Sequence, residues 1–216
     1  MATNDRRAAR HRDSIDEIVG HAVSIMETDG VAGLSLGEVA RRMGVRTPSL
    51  YVYVDSKGAL YDEIFRRGWV DLGATMRRSA TRLGTIDAGT DLRARFRSLA
   101  ATFVRWCLTH RAHAQLMVWR PVPRWEPSPA AFEPAVLQME MAHEELRAVA
   151  AVGRLAPDSE PEEIALLWTT VVSGAISQQL ANEPLATHRT GRYVAVLPSL
   201  VDLVVDRYMT PPQEQS

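Results

Sequence analysis

Residues 35–57 read SLGEVARRMGVRTPSLYVYVDSK, from Ser35 to Lys57, and how this stretch folds decides how the whole chain is read. Val39, Met43, Val45 and Leu50 are spaced for two short helices locked together by apolar contacts. Gly44 separates the two, and Ala40 lies four residues before it. In a helix-turn-helix the position of Ala40 is small because the second helix crosses close to it. Glycine suits the turn because the backbone there often takes positive φ. Ser35 stands three residues before Glu38, a capping-box spacing that predicts a helix over about 36–43. Thr47 followed by Pro48 predicts an N-cap with proline at the first helical position, opening a helix over about 48–53. An ordinary αα-hairpin in a bundle shares this spacing, so the residues after the turn carry the distinction.

Those residues are polar where a recognition helix would meet DNA. Arg46, Thr47 and Ser49 lie at its N-terminus, where base edges and phosphates are reached. Tyr51 and Tyr53 are two apart and cannot share a helical face: one can support the core while the other reaches outward. For Tyr51, packing and phosphate contact both stay open. Lys57 falls in the first turn of the next helix, where a phosphate could meet its ammonium and the free N–H groups of the helix start.

Outward from this stretch nearly everything reads as helix. Ile15, Ile18, Val19, Ala22, Val23 and Met26 form one apolar face of a helix capped by Asp13 or Ser14. Asp55 or Ser56 caps a long helix near 57–82, and Thr90 caps one over about 91–109. Further helices are expected near 112–119, from Ser128-Pro129 to about 152, from a second capping box (Ser159 to Glu162) to about 182, and over about 190–208. Pro198 should kink or split the last. Strand signals are nearly absent, so the expected class is all-α, with about nine helices in an N-terminal helix-turn-helix domain and a larger C-terminal helical domain. The tail over 211–216 is expected to be disordered.

Composition sets the outer bounds. The 216 residues are 46% hydrophobic and 24% charged, the balance of a folded globular chain. Cys107 is the only cysteine, so no intrachain disulfide or cysteine-based zinc site can form, and a reducing cytoplasm is the expected home. No apolar run approaches the roughly 18 residues of a membrane span, and no membrane partner is expected. The net charge of −1 taken alone argues against a nucleic-acid binder. Its distribution does not. Residues 126–163 carry nine acids against Arg147 and Arg154, a balance of −7, while Arg41, Arg42, Arg46 and Lys57 face only Asp55 between 41 and 57, a balance of +3. The basic residues are 24 arginines and one lysine, Lys57.

Residues 15–60 resemble the DNA-binding domain of the TetR family of bacterial transcriptional repressors. The resemblance rests on Gly33-Leu34-Ser35, Val39-Ala40, Met43-Gly44-Val45, Thr47-Pro48-Ser49-Leu50-Tyr51, Val52-Tyr53-Val54-Asp55-Ser56-Lys57 and Leu60. Pro48 stands where most members have glycine and Val54 where most have phenylalanine, which brings the chain closer to the tetracycline repressors themselves. The resemblance implies phosphate contacts from Ser35, Tyr53 and Lys57, and base-facing positions at Arg46, Thr47, Pro48 and Ser49. Gly37 occupies a spot where tetracycline repressors place an arginine on a base, so that contact is lost and a different operator is expected. Arg6, Arg7, Arg10, His11 and Arg12 form an arm that either reaches DNA or stays solvated.

The resemblance also implies a DNA-binding domain over 1–60 and a ligand-binding and dimerisation domain over 61–210, in a homodimeric repressor released from a palindromic double-stranded DNA operator by a small apolar effector. Residues 160–183 and 190–208 would form the four-helix interface, with Leu166, Leu167, Thr170, Val171, Gly174, Ser177, Val201 and Val205 facing the partner. Trp168 to Gly174 is similar to the Trp…His-Gly signature of the WHG-type C-terminal subgroup, with Ser173 in place of the histidine. Four of the five tryptophans fall between 106 and 168, which suggests a roomy aromatic chamber. Its expected walls are Phe103, Trp106, Trp119, Trp125, Phe132, Met139 and Trp168, with Arg120 and His143 as polar anchors.

Other chemistries lack a foothold. There is no G-x-S-x-G elbow, Walker loop or dinucleotide fingerprint, and Cys107 sits on an apolar face, so no catalytic residue and no cofactor is expected. His110-x-x-His113 falls at a helix end and Glu140-x-x-His143 has no second copy, so no metal is expected. A helical-bundle enzyme or lipid-binding protein with a purely structural hairpin is the alternative from another class. A ligand-independent regulator or an activator is the alternative within this one.

Overall fold

The computed structural model describes residues 2–211, with side chains from residue 9. The Arg6 and Arg7 side chains, and residues 212–216 of the expected disordered tail, lie outside the described residues. In chain order the elements are α1 (Ala2–Asp29), a short 3₁₀ turn (Val31–Gly33), α2 (Leu36–Arg42), α3 (Thr47–Leu50), α4 (Lys57–Leu83), α5 (Leu92–Thr109), α6 (Arg111–Trp119), α7 (Pro129–Ala151), α8 (Pro161–Asn182), α9 (Arg192–Ala195) and α10 (Leu197–Tyr208). The all-α class is as expected; among the described residues the only β pairing is an isolated bridge between Leu155 and Met209. The chain forms two compact units, Met1–Gly68 with Ala112–Glu133, and Trp69–Arg111 with Pro134–Ser216.

In the first unit, α1 buries Ile18, Val19, Ala22 and Met26 of the face its spacing predicts, and Ile25 beside them, while Ile15 and Val23 are half-buried. The helix begins at Ala2, ahead of the expected cap: Ser14 is inside it and its hydroxyl donates one turn back to Arg10 O at 3.0 Å. Between α2 and α3 the backbone closes on itself. Val45 N–H donates to Ala40 O at 3.0 Å and Gly44 N–H to Arg41 O at 3.2 Å, with Gly44 at φ 69°. These are the two bonds of a Schellman motif, which caps otherwise unpaired carbonyls at the end of α2 and needs a left-handed residue to do so. The closure turns the chain so that α3 packs on α2, with Val39, Ala40 and Leu50 all buried.

Two caps differ from expectation. Ser35 is the N-cap of α2 but makes no side-chain cap bond, and the Glu38 carboxylate is taken by Arg41 and Arg42 instead of reaching back, so neither bond of the box forms. Arg46 rather than Thr47 is the N-cap of α3, with Pro48 in the first turn where no N–H is missed.

The first half of α4 buries Leu60, Tyr61, Ile64 and Phe65. Ser56 caps it as expected, accepting from Ala59 N–H at 3.0 Å. Residues 112–132 pack on this half. Trp125 lies against Tyr61 and Phe65, and Asp62 accepts from Trp125 Nε1–H at 3.0 Å.

The second unit is built on the rest of α4 and on α5, α7, α8, α9 and α10. Asp91, not Thr90, caps α5 by accepting from Ala94 N–H at 3.0 Å; Thr90 is occupied in a turn with Asp87. α8 opens at Glu160 with no side-chain cap, and Glu162 of the expected box pairs with Arg147 at 3.0 Å. The helix expected over 190–208 is divided at Val196, leaving Pro198 in the first turn of α10. By length and hydropathy α8 is long and apolar enough to cross a membrane, contrary to the expectation of no such run. Its Ile164, Trp168, Val172 and Ile176 are buried, and it packs on α5 and α10. Buried Arg154 closes this unit by donating to Thr210 O, Ala88 O and Thr90 O at 2.7, 2.8 and 3.2 Å.

The positive φ of Gly44 yields a direct test. A β-branched residue cannot hold that conformation without strain of about 1–2 kcal/mol. Gly44→Val should lower stability by at least that amount in urea unfolding, and Gly44→Asn by less.

Candidate nucleic-acid interface and ligand cavity

The helix-turn-helix leaves one face in solvent. Ser35, Arg46, Pro48, Ser49 and Tyr51 are exposed, while Thr47, Tyr53 and Lys57 are half-buried. Tyr51 is 52% exposed and turned away from the core, so of its two readings the packing one is not realised in the first unit. A Cβ built on Gly37 would sit 3.6 Å from Ser35 Oγ and 4.0 Å from Thr47 Oγ1, so these three residues from α2 and α3 share one patch. The same distances show that Gly37 has room for a side chain there.

Tyr53 and Lys57 are placed by neighbours. The His11 and Tyr53 rings lie 5.2 Å apart, so the described part of the basic arm, which is helical, reaches the edge of this face. Lys57 Nζ donates to Ala32 O at 3.4 Å and lies 5.5 Å above the Tyr61 ring. Tyr61 in turn donates to Val31 O at 2.7 Å, and burial pushes its phenol up to about 12. Lys57 and Tyr61, one turn apart, thus tie the start of α4 to the connector before α2.

Charge on this face is smaller than the window 41–57 suggests. Glu38, just outside it, receives Arg41 through two bonds of 2.7 and 2.8 Å and Arg42 through one of 2.9 Å. The two guanidiniums hold the Glu38 carboxyl down to about 2. Arg46 and Lys57 are left as the cations with no carboxylate partner on this face among the ion pairs of the described residues.

The second unit holds a partly open cavity of about 520 Å³. Of the expected wall residues, Phe103, Met139 and Trp168 line it, joined by Trp69, Met76, Phe96, Leu99 and Gln138, which sequence reasoning missed. Trp106 does not: it is buried with Nε1–H donated to Asp71 at 2.6 Å and its ring stacked on His110. His143 faces Glu140 at 3.4 Å rather than the cavity. Trp119, Arg120, Trp125 and Phe132 belong to the first unit, where Arg120 lies over Phe65 and Phe132. Aromatic residues look alike in sequence whether they wall a cavity or fill a core; the partition between units separates Trp119, Trp125 and Phe132 from the wall, and the bond to Asp71 accompanies the burial of Trp106.

The expected dimer face needs a similar correction. On α8, Leu166, Thr170 and Gly174 are exposed and Leu167, Val171 and Ser177 half-buried. On α10, however, Val201 and Val205 are 0% and 7% exposed because α10 turns that side onto α5 and α8. Leu203, on the opposite side, is 67% exposed. A Cβ added at Gly174 meets nothing within 4 Å, so no close approach inside the protomer calls for glycine there. Cys107 is buried, which pushes its thiol up, away from nucleophilic use.

No family model matches the chain. It is 28% identical to the tetracycline repressor protein class C of Escherichia coli over 174 residues, 81% of this chain and 69% of that protein. It is 43% identical to the HTH-type transcriptional repressor DrrR1 of Streptomyces coeruleorubidus over 54 residues, 25% of this chain and 20% of that protein. In fold it is similar to the TetR family transcriptional regulator PfmR from Thermus thermophilus, with a TM-score of 0.63, 16% identity, and coverage of 88% of this chain and 97% of that one.

The Glu38 cluster makes a pH prediction. Its carboxyl titrates lower in the folded chain than the ordinary value of 4.5, so the pairing contributes above that value and is lost as pH falls through about 2. Carboxyl-detected NMR should place the Glu38 midpoint near 2, moving back toward 4.5 when Arg41 and Arg42 are both replaced by alanine.

Proposed function

We propose, taking as premise that the chain belongs to the TetR family of transcriptional regulators, that it is a cytoplasmic homodimeric repressor released from a palindromic operator by a small, largely apolar effector. Residues 1–60 act as its DNA-binding domain and residues 61–210 as its ligand-binding and dimerisation domain. The observation that carries the reading is the exposed face built by the Gly44 turn, on which Ser35, Arg46, Thr47 and Ser49 stand together while Leu50 is buried behind them. Arg46, Thr47, Pro48 and Ser49 read base edges in the major groove; Ser35, Tyr51, Tyr53 and Lys57 hold phosphates.

Two subunits pair through α8, with Leu166, Leu167, Thr170, Val171, Gly174 and Ser177 at the interface and Leu203 supplying the apolar contact from α10. Leu166 and Leu203 are 61% and 67% exposed in the single chain, which favours a covered role for both. The cavity takes the effector. α4 carries Lys57 at its first residue and Trp69 and Met76 in the cavity wall, and so couples the two sites. Release requires the effector to bind the DNA-incompatible conformer more tightly than the DNA-bound one.

DNA retention tests the reading, using the intergenic DNA beside the gene at several salt concentrations. Lys57→Ala should weaken all sequences alike and flatten the salt dependence by about one unit of slope, whereas Arg46→Ala should cost about 1–3 kcal/mol and relax preference at one base position. Absence of any retained sequence at low salt overturns the regulator reading. For the dimer, Leu166→Glu combined with Leu203→Glu should give a folded monomer by light scattering; a dimer unchanged in size refutes this interface.

A further inference from the structure

We infer that a second copy of this chain completes the cavity: the partner subunit covers its mouth along α8, so that ligand binding and dimerisation are coupled. This deepens, and rests on, the readings of the cavity as the effector site and of α8 as the subunit interface. On its inner side the cavity is closed, with Phe96, Leu99 and Ala100 of α5 and Val172 of α8 in its wall and buried. Among all the lining residues only Thr170 and Gly174 are exposed. The most open edge of this space of about 520 Å³ is therefore the middle of α8.

That edge runs into the proposed interface. Leu166, Thr170, Gly174 and Ser177 follow one another at spacings of four, four and three residues, so they share one side of α8. Leu166 is 61% exposed, an apolar side chain left for another surface to cover. The Thr170 hydroxyl donates to Leu166 O at 2.8 Å, which spends its proton on the helix rather than on solvent. A Cβ on Gly174 would meet nothing within 4 Å, so the protomer itself supplies no cover at that point of the mouth. No charged residue falls between Ile164 and Asn182, so two copies of this side can meet without like-charge repulsion. A two-fold interface is self-complementary: the surface that one α8 presents is the surface that covers the other. Pairing on this side lays one copy over the other's mouth and keeps water from a ligand held against Trp168 and Met139. A monomer keeps the closed inner side but leaves a bound ligand wet along α8. Linkage makes the effect mutual: what the subunit contact adds to ligand affinity, the ligand returns to the dimer.

Nile red, a neutral apolar dye whose emission brightens away from water, serves as the probe. Dye titrations of the full chain, with light scattering on the same samples, read both halves of the linkage. The dimer should bind one dye per subunit. The folded monomer made by Leu166→Glu combined with Leu203→Glu, two changes outside the cavity lining, should bind at least tenfold more weakly. Saturating dye should lower the dimer dissociation constant of Leu203→Ala, chosen to loosen the interface, at least hundredfold, a tenfold gain at each of two sites. Ala142→Phe, which narrows the cavity from α7, should remove dye binding while leaving the dimer in place. A folded monomer that binds the dye as tightly as the dimer, or a dimer constant indifferent to dye, overturns the inference and leaves the cavity and the interface standing. Dye binding that survives Ala142→Phe also overturns it, because the dye then lies elsewhere. A wild-type chain that is monomeric, or a dimer that resists the paired glutamates, sinks the interface reading and this inference with it; a dimer that takes up no dye sinks the effector-site reading in the same way.

Discussion

At the end of α2 the amides of Gly44 and Val45 fold back onto the carbonyls of Arg41 and Ala40, and the left-handed backbone of Gly44 makes this closure available. Everything on the exposed face is set by it. The direction of α3 buries Leu50, as Val39 and the small Ala40 of α2 are buried, and the same rotation leaves Arg46 and Ser49 in solvent with Thr47 half-buried. Because α3 is a single turn of helix, four residues from Thr47 to Leu50, it has little intrinsic stability and takes its orientation from the turn before it and the packing behind it.

This part of the molecule was legible in the sequence because glycine, alanine and proline carry backbone information directly. Gly44 alone of the three reaches the left-handed backbone and holds the turn as expected, Ala40 is buried, and Pro48 opens a helix as expected but one residue further in. Capping was less legible, because a hydroxyl or carboxylate near a helix start has several partners within reach. Thr90 is spent on Asp87, and Asp91 caps α5 in its place; Glu38 is spent on two arginines, and Ser35 stays at the N-cap of α2 without a side-chain bond. The cavity was half legible. Phe103, Met139 and Trp168 fell in its wall, but Trp106 found a carboxylate and Trp125 a core, and composition alone cannot separate these fates. On α10, Val201, Leu203 and Val205 are all apolar, so the pattern did not say which side faces inward; packing on α5 decides it.

The second unit manages charge by enclosure. Arg95 and Arg154 are 5% and 4% exposed, yet every donor named for them meets a carboxylate or a backbone carbonyl. Arginine suits such sites because its planar fork can satisfy several acceptors at once while staying charged. Its use here leaves the cavity beside Glu145 free of unpaired cations and gives its wall a largely apolar character.

Lys57 has a chemical consequence of its own. The guanidinium groups of the 24 arginines do not react with mild acylating reagents, so the chain presents one side-chain amine, and that amine lies at the first residue of α4 beside the exposed face of the helix-turn-helix. Its hydrogen bond to Ala32 O uses one of the three ammonium protons. Amine chemistry on this protein, whether a laboratory label or a cellular acyl transfer, is therefore addressed to a single side chain, and it would remove positive charge from the surface where the chain has least to spare.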